Sequence, residues 1–181
     1  MDINKINSFY LKIFVYPYFI IIFVKMNNLY NVTNMTRINS YIKPKKLTDA
    51  HLIAEIKEIN QLCGCYKKSL NSKNGICNIP DKFTLNTGHV KFYYTRMEYL
   101  FNRFYELKEE ALLRNFNITV EFQIKDIQEE HFNDWTPNEE QERIKSILHE
   151  RITDRLKSQK SKIRFHKKII DSKQAILILI N

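Results

Sequence analysis

The sequence is poor in the residues that break or crosslink a chain. Its 181 residues include 3 Gly, 4 Pro and 3 Cys. A β-sandwich or β-barrel needs many turns, and these are usually rich in Gly and Pro, so the composition favours helices instead. The length suits one ordinary domain with its own hydrophobic core.

The three cysteines do not form a recognisable framework. An odd and sparse set, Cys63, Cys65 and Cys77, is not typical of a disulfide-stabilised secreted protein. Cys63 and Cys65 form C-x-C rather than the C-x-x-C of zinc knuckles, and no spacing supports His89 as a further ligand. We therefore predict reduced thiols in a cytosolic protein and no metal site.

Positive charge exceeds negative charge in the sequence as a whole. The formal net charge is +9; Lys5, Lys12 and Lys25 against Asp2 give +2 in residues 1–34, which leaves +7 for the remainder. A small basic domain is typical of proteins that bind a polyanion, more often nucleic acid than an anionic membrane.

The N-terminal segment 1–34 differs from the rest in composition. Residues 9–24 read FYLKIFVYPYFIIIFV, an apolar run that Lys12 and Pro17 interrupt. The part from 13 to 24 is shorter than the roughly 20 residues of a membrane span. No small-residue cleavage site follows, as a secretory signal requires, and the segment lacks the arginines of a mitochondrial presequence.

Codon composition offers another interpretation of this segment. The chain is rich in Asn, Ile, Lys, Phe and Tyr, which AT-rich codons encode, and Met26 and Met35 offer later starts. We interpret residues 1–34 as an extension outside the active protein and do not expect membrane association through 9–24.

Apolar spacing predicts three helices. The first runs from Asp49 to Cys63, with Thr48 as its cap and Gly64 as its stop. The second begins after Thr87 and continues to about residues 114–115. A capping box, TPNE at 136–139, opens the third. Its inner side comprises Ile144, Ile147, Leu148, Ile152 and Leu156.

These helices predict an all-α fold, a compact three-helix domain with long irregular connections, over residues 35–157. Residues 118–127 alternate briefly like a strand, but no other segment offers a partner, so we expect an extended connection. Residues 158–181 form a basic and then apolar tail, and the run 175–180 has no assigned role. A fold of this kind does not by itself name an activity.

Several blocks in a fixed order resemble one enzyme family. They read MTRIN at 35–39, LTDAHLIAEIKEI at 47–59, IPDKFTL at 79–85 and TGHVKFYY at 87–94. Together they resemble the phage-type pyrimidine dimer DNA glycosylases, historically called endonuclease V of the T-even phages. The resemblance covers about residues 35–156, with the third helix matched most loosely.

The resemblance implies a metal-free and cofactor-free monomer that cuts double-stranded DNA at cyclobutane pyrimidine dimers. Its nucleophile would be the α-amine of Thr36, and its catalytic carboxylate Glu58. An α-amine has an ordinary pKa of about 7.7–8.0, so part of it is neutral and nucleophilic near pH 7. Attack on the sugar C1′ expels the base and forms an imine, which then promotes β-elimination. Glu55 is expected to be structural.

Six further residues occupy positions that the resemblance assigns to DNA contacts or to the surroundings of the active site. Lys57 and Gln61 replace family arginines, so a bidentate phosphate contact is lost at one position and the charge at the other. These departures put affinity and lesion specificity in doubt more than chemistry. The full predicted set is Arg37, His51, Lys57, Gln61, Arg151 and Arg155.

Two alternatives remain open at this stage. An enzyme of the same fold could act on abasic sites or oxidised bases instead of dimers. If the chain truly begins at Met1, an acylated Thr36 nitrogen cannot form an imine, and the protein would be a non-catalytic DNA-binding or membrane-associated protein. We expect the protein to be the pyrimidine dimer glycosylase, located in the cytoplasm and associated with DNA or the nucleoid.

Overall fold

The computed structural model describes residues 38–83, 87–123, 125–136 and 140–180. All of them belong to the second of the two units into which the chain divides, Thr36–Asn181. The predictions for residues 1–34, Thr36 and Arg37 lie outside the described residues.

The first helix, α1, spans Asp49–Leu70. The predicted cap is confirmed, since the backbone N–H of His51 donates to Thr48 Oγ1 at 3.4 Å. The predicted end at Cys63 is wrong. Gly64 faces solvent, and the helix continues because Tyr66, beyond it, is buried against the core.

The predicted second helix is two helices, α2 (Thr87–Phe92) and α3 (Met97–Leu113), separated by the 3-10 turn Tyr93–Thr95. Arg96 leaves the helical region with φ −134° and ψ 43°. Its Nη1 donates to the carbonyl oxygen of Phe92 at 2.6 Å, the acceptor that its own backbone N–H would use in an unbroken helix. The apolar spacing continues across this break, which is why the spacing alone predicts one continuous helix.

The third predicted helix corresponds to α4, Gln141–Ser158. Its expected inner side is largely confirmed, with Ile147 only half-buried. Residues 137–139 of the predicted capping box lie outside the described residues, and Glu140 precedes the helix without a side-chain cap. Four residues of the inner side are buried: Ile144, Leu148, Ile152 and Leu156.

The C-terminal residues form structure that the sequence did not indicate. Strands β1 (Ile163–Phe165) and β2 (Lys168–Ile170) pair antiparallel, and α5 (Ser172–Ile180) follows. The turn residues His166 and Lys167 have φ of 48° and 64°. This unusual backbone directs both of their N–H groups at the Asp49 carboxylate, with distances of 3.1 and 2.8 Å.

The all-α fold class is confirmed. Across the described ranges there are five α-helices and one two-stranded sheet. Residues 118–123 form no strand, as expected for an extended connection. Nowhere in the described part of the chain is a helix both long and apolar enough to span a membrane. The core is one cluster of buried apolar side chains, to which α1, α3 and α4 contribute most of the members.

Candidate functional site

Helix α1 carries three polar residues, His51, Glu55 and Glu58, whose i, i+4, i+7 spacing places them on one face. Glu55 is fully buried and His51 nearly so, whereas Glu58, one turn further along, is half-buried. His51 Nδ1 lies 2.7 Å from the hydroxyl of Thr48. The polar face therefore runs from a buried histidine at the start of the helix to a partly accessible carboxylate.

Glu55 is paired inside the core. Arg103 of α3 donates from Nε to Glu55 Oε1 at 2.8 Å, and Asn39 donates from Nδ2 to Glu55 Oε2 at 2.7 Å. Burial alone would lower the pKa of Arg103, but the combined attraction of Glu55, Tyr99 and Glu106 outweighs it and the pKa is raised. These contacts agree with the structural role expected for Glu55.

Arg151 of α4 reaches the same group from the other side. Its side chain is buried, and Nη2 donates to the carbonyl oxygen of Ile38 at 3.2 Å and to Asn39 Oδ1 at 2.7 Å. We call Asn39, Glu55, Arg103 and Arg151 the polar anchor. It joins α1, α3 and α4 to the chain just after Thr36.

The charges around Arg151 connect the polar anchor to the predicted active site. Burial, and to a smaller extent the positive charge of Arg155, lower the pKa of Arg151 to about 10. Glu55, Tyr93 and Glu58 act in the opposite direction. Arg151 therefore remains a cation at neutral pH, and it interacts electrostatically with the predicted catalytic carboxylate.

A buried hydroxyl pair continues the group along the chain. Ser40 Oγ and the hydroxyl of Tyr93 lie 2.6 Å apart. Burial raises the pKa of Tyr93 well above its ordinary value, so this phenol stays protonated and can donate. Residues 38–40 are thus hydrogen-bonded to side chains from α1, α3, α4 and the 3-10 turn that begins at Tyr93.

The remaining predicted DNA contacts are more accessible. Lys57 and Gln61 are exposed and lie one turn apart on α1. Arg155 is half-buried, one turn beyond Arg151 on α4. The structure therefore brings Glu58, Arg151 and Arg155 together, places Lys57 and Gln61 on open surface, and leaves Thr36 and Arg37 undescribed.

Sequence reasoning missed Asn39 and Arg103. Arg103 interrupts the apolar spacing of α3 beside Leu100 and Phe104, and a charge at a core position signals a buried partner. Asn39 lies within the MTRIN block but gave no chemical signal of its own. No group of three potential metal ligands among His, Cys, Asp and Glu occurs in the described ranges.

Part of the chain matches a known protein family. Residues 35–124 match the model of the pyrimidine dimer DNA glycosylase family. The resemblance expected from the sequence blocks is thereby confirmed over this segment. A glycosylase family of this description acts on DNA, which agrees with the basic composition. The match includes Glu55, Glu58 and Arg103, whereas Arg151 and Arg155 on α4 lie beyond it.

Proposed function

We propose that the protein is a DNA glycosylase with apurinic/apyrimidinic lyase activity that acts on cyclobutane pyrimidine dimers. The observation that carries the proposal is the family match over residues 35–124, which includes the Met35–Thr36 pair and the helix that bears Glu58. The buried contacts of residues 38–40, close to that helix, support it.

The proposed nucleophile is the α-amine of Thr36, once no residue precedes it. Its neutral form attacks the sugar C1′, the C1′–N bond breaks, and the base departs with the bonding electrons and a proton. Opening of the sugar ring then yields an imine between the amine and C1′. The protonated imine withdraws electrons, so loss of a C2′ proton expels the 3′ phosphate.

Glu58 is proposed to stabilise the cationic imine and to move protons during the elimination. Its half-buried position favours this, because a partly desolvated carboxylate interacts more strongly with a cation than one in bulk water. Glu58 and the guanidinium of Arg151 attract each other electrostatically. Glu55 does not fit this role, since both of its oxygens are occupied inside the core.

Binding is proposed to use charge along the accessible sides of α1 and α4. Lys57 and Gln61 on α1 and Arg155 on α4 would contact the phosphate backbone together with Arg37. Phosphate contacts release counterions, so affinity should fall steeply with salt. Extrusion of a nucleotide costs only a few kcal/mol, and less at a damaged and weakly paired site.

Borohydride trapping on a duplex with a single dimer tests the catalytic proposal. Protein that begins at Thr36 should form a covalent DNA adduct, and the full chain should not. Glu58→Gln should slow adduct formation by roughly 10²–10⁴-fold, the range of general acid–base catalysis. Glu150→Gln, an exposed carboxylate on α4, is the matched control and should leave the rate unchanged.

The substrate part of the proposal has its own outcome. An adduct with abasic-site DNA but none with dimer DNA would replace the glycosylase assignment by the abasic-site lyase. No adduct with either substrate from the Thr36 form would reject the imine mechanism.

A further inference from the structure

One residue expected to bind DNA lies under the surface. Arg151 is 5% exposed, against a half-buried Arg155 one turn further along α4. A guanidinium that binds a DNA phosphate needs N–H donors that are exposed to solvent in the free protein. The Nη2 of Arg151 is instead directed at protein acceptors.

Those acceptors belong to the chain that follows Thr36. One is the carbonyl oxygen of Ile38, two residues after the proposed nucleophile, and the other is the side-chain oxygen of Asn39. Asn39 is itself fixed, because its Nδ2 donates to Glu55 and its carbonyl oxygen accepts from Arg103. Arg151 therefore binds a point of the chain that cannot move independently of α1.

We propose that Arg151 is a positioning residue and not a phosphate contact: together with Asn39 it holds the backbone at Ile38, and the reaction of the Thr36 amine depends on that fixed backbone. The inference rests on the proposed function, because it concerns the geometry of that nucleophile. It assigns the two arginines of α4 different tasks although they lie one turn apart.

The chain between Ile38 and the Thr36 amine is short, so a contact at Ile38 can affect the position of the amine. The backbone from the Thr36 nitrogen to the Ile38 carbonyl carbon covers three residues and extends at most about 10 Å, so a fixed Ile38 limits how far the amine can move. Productive attack requires reacting atoms about 3–3.5 Å apart, and a misplacement of 1 Å can cost on the order of 100-fold in rate. Releasing the Ile38 carbonyl should therefore affect the chemical step more than DNA binding.

The test compares Arg151→Gln with Arg155→Gln in protein that begins at Thr36. Trapping rates are measured in single turnover at saturating dimer DNA, and affinity is measured against salt concentration. We expect Arg151→Gln to slow trapping roughly 10–100-fold with an almost unchanged salt slope. Arg155→Gln should reduce the slope by about 0.9, the loss of one phosphate contact, and should weaken DNA binding more than it slows trapping.

Asn39→Ala provides a second route that leaves every charge in place. It removes one Arg151 acceptor, and we expect a comparable loss of saturated rate with no change in salt slope. The double variant should lose little more than either single variant, because both disrupt one unit. Thermal unfolding sets an assay temperature at which all variants are folded.

The outcomes separate this inference from the function on which it rests. If unsubstituted Thr36 protein forms no adduct, the proposed function fails. If it forms the adduct and Arg151→Gln retains the saturated rate while its salt slope falls by about 0.9, Arg151 is a phosphate contact and the positioning role is overturned. Full additivity of Arg151→Gln and Asn39→Ala would also overturn it.

Discussion

Helix α1 is joined to the rest of the protein by two buried carboxylate–arginine pairs that serve different parts of the chain. Glu55 pairs with Arg103 in the polar anchor. Asp49, at the start of the helix, pairs with Arg114 at 2.9 Å and also accepts from the turn His166–Lys167. We call Asp49, Arg114 and this turn the hairpin anchor.

The partners of each pair show what it fixes. Arg114 further donates to Glu110 and to carbonyl oxygens of residues 44, 45 and 47, and its guanidinium lies 5.1 Å from the ring centre of Phe165. These contacts fix the C-terminal hairpin and the loop before α1. The polar anchor fixes residues 38–39 instead. Substitutions in the polar anchor should therefore reduce both stability and catalysis, whereas substitutions in the hairpin anchor should reduce stability alone.

The largest expected effect is that of Glu55→Ala. The substitution leaves the Arg103 cation buried without its carboxylate, and breaking a buried pair from one side typically costs about 3–5 kcal/mol. Urea denaturation should show a loss of about 4 kcal/mol, with slower adduct trapping at saturating DNA. Glu55→Gln, which keeps the shape and one acceptor, should lose less. A normal trapping rate in folded Glu55→Ala would contradict the link between this pair and the site.

Asp49→Ala should cost slightly less stability, about 3 kcal/mol, because Arg114 keeps Glu110 and its carbonyl acceptors. Saturated trapping by the folded variant should match that of the unsubstituted protein within about twofold. Limited proteolysis should cut the released hairpin first. A loss of trapping as large as that of Glu55→Ala would erase the distinction between the two anchors.

Alkaline pH should reduce the stability of the fold through the buried thiol of Cys63 rather than through the two carboxylate–arginine pairs. Burial raises the pKa of the Cys63 thiol to about 11, and hydrogen bonds from backbone groups only partly oppose this. The thiol ionises at about 9 when unfolded, so this contribution is complete below pH 9 and is lost as pH rises toward 11. Unfolding at pH 8 and pH 11 should differ by about 2 kcal/mol more in the unsubstituted protein than in Cys63→Ala. An equal pH response of both proteins would reject this assignment.

The smallest effect is expected from Tyr93→Phe beside the polar anchor. The phenol hydroxyl is lost and Ser40 loses its partner, which should cost about 1 kcal/mol. Tyr66→Phe is the matched control, since it also removes a hydrogen-bonded phenol hydroxyl, whose partners are the backbone N–H of Gln128 and His131 Nδ1. Only Tyr93→Phe should also slow trapping, because Ser40 follows the fixed Asn39 directly. Equal trapping by both variants would show that residue 40 needs no such support.

The sequence predicted those features that depend on periodicity or on local chemistry. Thr48 as a cap and the buried side of α4 follow from the composition of single segments, and both are confirmed. The passage of α1 through Gly64 was missed because the reason lies elsewhere in the chain. Tyr66 packs edge-on against Tyr94 and binds His131, which no local pattern reveals.

The candidate site was predictable where chemistry and order in the chain sufficed. Thr36 and Glu58 were assigned from matching blocks, and their roles stay predictions. The partnership of Asn39 with Arg103 and Arg151 could not be predicted, because it joins residues 64 and 112 positions apart. Likewise, Arg151 and Arg155 are equivalent as sequence, and only tertiary packing makes one buried and the other accessible.

Identification of the residue that carries the DNA adduct tests the central claim most directly. Protein that begins at Thr36 is reduced with borohydride on dimer-containing DNA and cleaved after glutamate, and the modified peptide is fragmented in a mass spectrometer. The adduct should lie on the α-nitrogen of Thr36, within the peptide that ends at Glu55. An adduct on a lysine side chain, such as that of Lys57, would contradict the account.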